Sequence, residues 1–259
     1  MSIESLFKID LFLYRALLTP QIISNNIAFR ASRRELKKVA ALKELPRTET
    51  VYICGNGPSL SKADMRDIRD DYIVVNDFYK FTKKDPAHPP KYYMVIDEDF
   101  LRPDMKERYD GIFNCGFDTT YILTGKMYDR VRADYPSLGS VYYCCPWGRL
   151  YRHTKKQDFT KVVSRTWNVV SEAILFAIYL GYTDIRLLGC DYSVFANDAH
   201  FYPQIQERVR LREMLYRYCF TTEAHYEIEK YAEATGVKIT NMTRATLLDA
   251  YPIDENSPY

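Results

Sequence analysis

His200, the pair Asp191-Tyr192 and the turn Gly55-Asn56-Gly57-Pro58-Ser59 are the groups here whose types and spacing point to chemistry. His200 stands in "NDAHFYP", shortly after Asp191 and Tyr192 close the apolar run "DIRLLGC". An imidazole titrates near neutrality, so a loop histidine beside a ligand can take the proton of an attacking hydroxyl. The other histidines offer less: His88 lies in a proline-rich loop, His153 among lysine and arginine, and His225 in a charged helical stretch. In "VYICGNGPSLSKADM" a strand-like run enters two glycines, an asparagine, a proline and a serine. Glycines let backbone N–H groups approach an anion closely, and a helix beginning there would turn its positive end towards it. The turn lacks the Gly-Lys-Ser/Thr of a Walker A loop and is not G-x-G-x-x-G, which argues against ordinary P-loop and NAD enzymes.

These groups need strands to position them. Apolar runs at 51–54, 72–75, 92–96, 111–114, 140–144, 184–188 and 237–240 read as strands. Helical periodicity is expected near 60–69, 126–134, 168–180, 204–219 and 221–235, with Gly181 and Gly236 as C-caps. This alternation predicts an α/β fold: a Rossmann-like, doubly wound, mostly parallel sheet with helices on both faces. In such sheets ligands bind beyond the carboxyl ends of the strands. The first strand ends in Gly55-Asn56-Gly57-Pro58-Ser59, the second in Asn76-Asp77, the third in Asp97-Glu98-Asp99, and the sixth in Cys190-Asp191-Tyr192. Any one of these suits a helix cap, whereas four on one edge point to a site. Residues 145–166 are basic and pattern-poor, a long loop placed to cover it.

Composition bounds the rest. The 259 residues fit a catalytic domain at 48–259 preceded by an amphipathic, basic helical extension at 1–47. The extension carries nine Lys and Arg against four Asp and Glu, and the remainder 27 against 30. Basic helices of this kind suit a peripheral membrane contact or a homo-oligomer contact. With no basic stripe in the main body, nucleic acid is not an expected partner. Most of the 23 tyrosines are expected in the core. Six cysteines without C-x-x-C or zinc-finger spacing, and no signal-peptide pattern, place the chain in a reducing, cytoplasmic setting.

"GNGPSL" closing the first strand, "NDFY" after the second, then "LGYTDIRLLGCDY", "HFY" and "NMTRATLLDAYP" in order resemble the small bacterial sialyltransferases. They also resemble the related MptE-like proteins of surface-polysaccharide biosynthesis. The resemblance spans roughly residues 50–250. It implies an inverting, metal-independent glycosyltransferase that moves a sugar from a nucleotide donor, CMP-linked, to a glycan acceptor, with no cofactor. It implies His200 as the base. Asp191 and Tyr192 join His200 in the expected catalytic set. Gly55, Asn56, Gly57, Ser59, Asn76, Asp97, Asn168, Ser171 and Tyr202 are expected donor ligands. The sequence departs from the sialyltransferases at two places: Ser193 stands where they carry a tyrosine, and Asn168-Val169-Val170-Ser171 where they carry Thr-Ser-Gly. Tyr202 or Arg165 is then available to meet the leaving phosphate. The alternatives are an MptE-like pterin diphosphokinase using ATP and Mg²⁺ held by Asp97, Asp99 and Asp191, and a non-catalytic scaffold of glycan assembly.

Overall fold

In the computed structural model the residues described are 12–13, 16–17, 19–20, 23, 33–97, 102–148, 152, 156–193, 200–201 and 211–259. Seven strands form one sheet: β1 (Thr50–Cys54), β2 (Asp71–Val75), β3 (Tyr92–Val95), β4 (Thr120–Thr124), β5 (Val141–Cys144), β6 (Asp184–Leu188) and β7 (Lys238–Asn241). Their order is β5-β4-β3-β2-β1-β6-β7 and every pairing is parallel. The chain lays down β1 to β5 in one direction and then crosses to place β6 on the other side of β1. The order therefore reverses between β1 and β6, which is where a doubly wound sheet opens a ligand crevice.

The named α-helices are α1 (Arg33–Lys38), α2 (Lys106–Phe113), α3 (Tyr128–Asp134), α4 (Val169–Leu180) and α5 (Leu211–Thr235). Strand side chains alternate between two cores. Ile73 and Val75 of β2 join Ile53, Met94 and Ile122 under Ala173, Phe176 and Ala177 of α4 and Ile228 of α5. Tyr72 and Val74 join Tyr93, Val95 and Leu123 under Tyr109, Ile112 and Phe113 of α2 and Val131 of α3. Central strands buried on both faces explain the uninterrupted apolar runs in the sequence. Tyr72, Tyr92, Tyr93, Tyr109 and Tyr182 are among the largest fully buried side chains. The Tyr72 hydroxyl donates to His88 O at 2.6 Å and that of Tyr182 to Asp71 at 2.7 Å, so these two rings add bulk without stranding an O–H.

Three expectations are corrected. The run 111–114 is not a strand: Tyr109, Ile112 and Phe113 fall at helical spacing and bury one face of α2, and the fourth strand is Thr120–Thr124. A short apolar run is ambiguous between the two periods. The region 60–69 holds two 3-10 turns, Pro58–Lys62 and Met65–Asp67, so no α-helix starts at the first loop. The segments 204–219 and 221–235 do not break at Phe220: α5 runs through, and Thr221 Oγ1 bonds Arg217 O one turn back at 2.9 Å. The stretch 202–210 lies outside the described residues, as do residues 98–101.

At the N-terminus the described residues between 12 and 23 are helical, and Phe12, Leu13, Leu17 and Ile23 are exposed. After α1 a 3-10 segment, Val39–Glu44, leads into the sheet. Leu36, Val39 and Leu42 are buried in the two cores, so the end of the extension is packed as part of the body. Of the loop 145–166, the described part lies on the sheet edge: Cys145 bridges Val162, and Phe159 is fully buried against Phe176 and Tyr179 of α4.

Candidate active site

The loops after β1 and β6 are locked together. Gly55 N–H donates to Leu188 O and Gly57 N–H to Gly189 O, both at 2.8 Å. Asp191 accepts from Ser59 N–H at 3.1 Å and from Ser59 Oγ at 2.8 Å, and its own carbonyl accepts Leu247 N–H at 2.9 Å. A Cβ on Gly57 would lie 2.0 Å from Asp191 Oδ2, and one on Gly55 2.5 Å from Gly189 O. The glycines therefore permit the two loops to touch, and the N–H groups of Gly55, Gly57 and Ser59 are already engaged within the protein.

Around this lock opens a cleft of about 400 Å³ at the carboxyl edge of the sheet. Gly55, Asn56 and Gly57 of the β1 loop, Asn76 after β2, Asn168 at the start of α4, Asp191 and Tyr192 after β6, and His200 all line it. Asn168 is the N-cap of α4, accepting Val170 N–H at 2.7 Å and Ser171 N–H at 3.3 Å. The α-helix end facing the cleft is thus that of α4. Asn56 Nδ2 donates to Val75 O at 3.1 Å, which ties β1 to β2. Asn56 Oδ1, Asn76 Oδ1 and Ser193 Oγ are buried without a hydrogen-bond partner, unusual for cleft-lining polar atoms.

Strain gathers here as well. Among the described residues the non-glycine positions with positive φ are Asn76 (45°), Trp167 (62°) and Tyr192 (58°), and all three line the cleft. Such conformations persist when their surroundings over-determine them, and they cluster at ligand sites. Tyr93 Oη donates to Asn76 O at 2.5 Å, and Tyr218 Oη to Tyr192 O at 2.6 Å.

His200 is brought in by its neighbour: Phe201 N–H donates to Asn56 O at 3.1 Å, and the Phe201 ring packs edge-on against Phe81. Burial pushes the His200 pKa below the ordinary imidazole value; Asp77 opposes this, while Arg108 and Lys80 reinforce it. The neutral, proton-accepting ring is the favoured form near neutral pH.

The remaining expected residues lie elsewhere. Ser59 is beneath the wall, bonded to Asp191. Ser171 is fully buried, its Oγ 3.0 Å from His225 Nε2. Asp97, after β3, is off the cleft wall, and Tyr202 lies outside the described residues.

Helix α5 supplies a side of the cleft that the sequence reading did not anticipate: Met214, Arg217, Tyr218, Thr221 and His225. His225 is fully buried, with Nδ1 2.9 Å from Tyr251 Oη and its ring edge-on to Tyr192. Burial lowers its pKa to about 3, which keeps it neutral. Arg217, paired with Glu213 at 2.7 Å on an exposed face, brings a cation to the rim. The signal for these residues was a helical spacing that puts 214, 217, 218, 221 and 225 on one face, visible only if α5 is read as unbroken.

Among the described residues no group of three or more His, Cys, Asp or Glu gathers as a metal site. Asp191 spends its carboxylate on Ser59 and Asp97 stands apart, so the shared Mg²⁺ cage of the diphosphokinase alternative finds no support in these two; Asp99 lies outside the described residues.

No protein-family model matches the chain, and no curated protein matches it by sequence. Among solved structures, it is similar to the Campylobacter jejuni sialyltransferase CstII in complex with the substrate analogue cytidine-5'-monophosphate. The identity is 17% over 80% of this chain and 85% of that one, with a TM-score of 0.49. It is likewise similar to the monofunctional α-2,3-sialyltransferase Cst-I of the same organism, at 16% identity, 80% of each chain and a TM-score of 0.48. Identities and scores this low describe chain course alone, and the chemistry has to be argued from the side chains of the cleft.

Proposed function

We propose that this protein is an inverting glycosyltransferase that moves a sugar from a nucleotide donor, CMP-linked, to a hydroxyl of a glycan acceptor in surface-polysaccharide or lipopolysaccharide assembly. One observation carries the reading. A half-buried, neutral-favoured histidine, His200, shares a cleft at the reversal of strand order with two unsatisfied amide oxygens, Asn56 Oδ1 and Asn76 Oδ1. These are the positions to which the sequence resemblance assigns the base and the donor ligands.

In the proposed reaction the acceptor oxygen bonds to the anomeric carbon as the bond from that carbon to the phosphate oxygen breaks. His200 takes the acceptor proton and the nucleotide leaves with the bonding electron pair. The amide oxygens of Asn56 and Asn76 accept from hydroxyl or amine donors of the bound donor molecule. Arg217 is the cation available to the leaving phosphate, and Asp191 acts as a positioning residue by holding the β1 loop to the β6 loop. No step calls for a resident metal ion. The extension, basic over residues 1–47 and exposing apolar residues before α1, serves as a peripheral contact with a membrane surface or another subunit.

A thermal-shift panel of CMP, CMP-sugars, UDP-sugars, GDP-sugars and ATP, each with and without Mg²⁺, tests this. CMP compounds should stabilise the protein by about 2.7 kcal/mol at 100 times their dissociation constant, with EDTA making no difference. Stabilisation by ATP with Mg²⁺ and none by CMP would overturn the reading.

A further inference from the structure

Trp167 is placed with more care than a surface tryptophan requires. It lines the cleft, is 37% exposed, and holds a φ of 62° in the left-handed region that bulky residues avoid. Both neighbours are pinned. Thr166 gives its N–H and Oγ1 to Glu172 Oε1 at 3.1 and 3.0 Å, and Asn168 is the cap of α4. The backbone at 167 is over-determined from either side, and the indole is turned outward as a consequence.

Below it lies a second construction. The Arg165 guanidinium sits 4.6 Å from the Trp167 ring centre and 4.5 Å from that of Trp147, and Arg165 is only 5% exposed. Trp147 is in turn fixed by Nε1–H donating to Thr124 Oγ1 at 3.0 Å, with Lys126 Nζ 4.1 Å from its ring centre. A cation against an indole fixes ring orientation as well as adding energy. The stack runs from the end of β4 to the mouth of the cleft, and it finishes in a part-exposed aromatic surface on a cleft that Val169, Val170 and Met214 also line.

We propose that Trp167 is a stacking platform for the nucleobase of the donor, and so a nucleotide-binding residue; this rests on the nucleotide-donor reading of the cleft. The chemistry of the walls favours the base as the group that stacks there. The polar groups, His200 and the amide oxygens of Asn56 and Asn76, stand at the ends of β1 and β2, where the hydroxyl-rich and reacting parts belong. Trp167 is anchored through Trp147 towards β4 and β5, on the apolar side. A flat ring bearing heteroatoms stacks on an indole whichever base it is.

The experiment is a fluorescence titration of the full chain, whose tryptophans are Trp147 and Trp167, with CMP, UMP, AMP, GMP and, separately, free monosaccharides. Nucleotides should quench the emission and monosaccharides should not, and the quench should disappear in Trp167→Leu. Aromatic-to-base stacking implies roughly 5- to 150-fold weaker nucleotide binding in that variant, carried by the donor KM rather than by kcat. Trp167→Tyr, which keeps a stacking face, should restore most of the affinity and stands in if the leucine variant fails to fold. Quenching by nucleotides other than CMP alone would retain the platform while removing the CMP reading. Wild-type nucleotide affinity in Trp167→Leu, quenching by monosaccharides only, or no quenching by any nucleotide overturns the platform.

Discussion

The Phe201 N–H bond to Asn56 O holds His200 against the end of β1, so replacing His200 by alanine leaves the lock between the β1 and β6 loops in place. The expected result is a kcat about 10²–10⁴-fold lower with donor binding little changed, measured by steady-state kinetics and nucleotide titration. The pH profile follows from the direction of the shift. A base works unprotonated, and burial lowers the His200 pKa, so the wild-type rate should hold down to a pH below about 6.5 before falling. An unchanged acid limb in His200→Ala would remove His200 from the chemistry. Gly57→Ala addresses the lock itself: its Cβ would fall 2.0 Å from Asp191 Oδ2, so a stability loss of about 1–3 kcal/mol is expected by denaturant titration. Gly139→Ala, with nothing within 4 Å, should be close to neutral. At this scale the sequence placed Asn56 and Asn76 on the cleft because they follow strand ends, and His200 because its loop follows β6. It was unreadable where meaning lay in a partner distant in the chain. Ser59 looked like a ligand and is bonded to Asp191, and His225 looked idle and lies against Ser171, Tyr192 and Tyr251.

Helix α4 begins at the cleft and carries a buried acid, and helix α5 carries a buried base. Glu172 Oε1 accepts the N–H and Oγ1 of Thr166, yet burial dominates and raises its pKa to about 8. The unfolded chain loses that proton from about 4.5 upward, so Glu172 reduces stability progressively as pH rises from about 4.5 to about 8. His225 has the opposite sense. The unfolded chain binds its proton below about 6.5 while the folded ring stays neutral down to about 3, so stability falls as pH drops through that window. Between about 4.5 and 6.5 the two slopes oppose each other, and stability should be greatest there, declining on both sides. Glu172→Gln, which keeps an amide oxygen for Thr166, should flatten the decline between about pH 6.5 and 8 in thermal melts while leaving the acid side. A decline of unchanged slope in Glu172→Gln would show that another group is responsible. Periodicity made α4 and six of the strands legible, because central strands and a buried helix are apolar throughout. It failed at α2, where the one-sided burial of Tyr109, Ile112 and Phe113 mimics a short strand, and at β4, where "TYILT" was hidden behind a loop.

Across the whole molecule, charge and exposure divide the chain unevenly. The basic excess lies in the first 47 residues, yet Leu36, Val39 and Leu42 of that stretch are core residues, so the compositional boundary and the packing boundary differ by about three turns of helix. A composition shift marks where surface chemistry changes, whereas the cores are set by individual apolar side chains inside the basic segment. Among the described residues no helix is long and apolar enough to cross a membrane. Phe12, Leu13, Leu17 and Ile23 are exposed, and Arg30, Arg33, Arg34, Lys37 and Lys38 follow them in sequence. Apolar insertion plus attraction to anionic lipid is additive in free energy, and the electrostatic part weakens as salt shortens the Debye length. Two truncations separate surface contact from folding. Removing residues 1–31 should leave the melting temperature and turnover of a soluble acceptor largely intact. It should weaken binding to vesicles containing anionic lipid in sedimentation assays by removing the exposed apolar residues, while the salt-sensitive part carried by Arg33, Arg34, Lys37 and Lys38 is retained, or lower the oligomer size by light scattering. Removing residues 1–47 should instead lower the melting temperature sharply, because three buried side chains leave with it and each typically contributes about 1.5–3 kcal/mol. A 1–31 truncation that is folded and inactive, with association unchanged, would place the extension at the cleft and defeat the surface-contact reading.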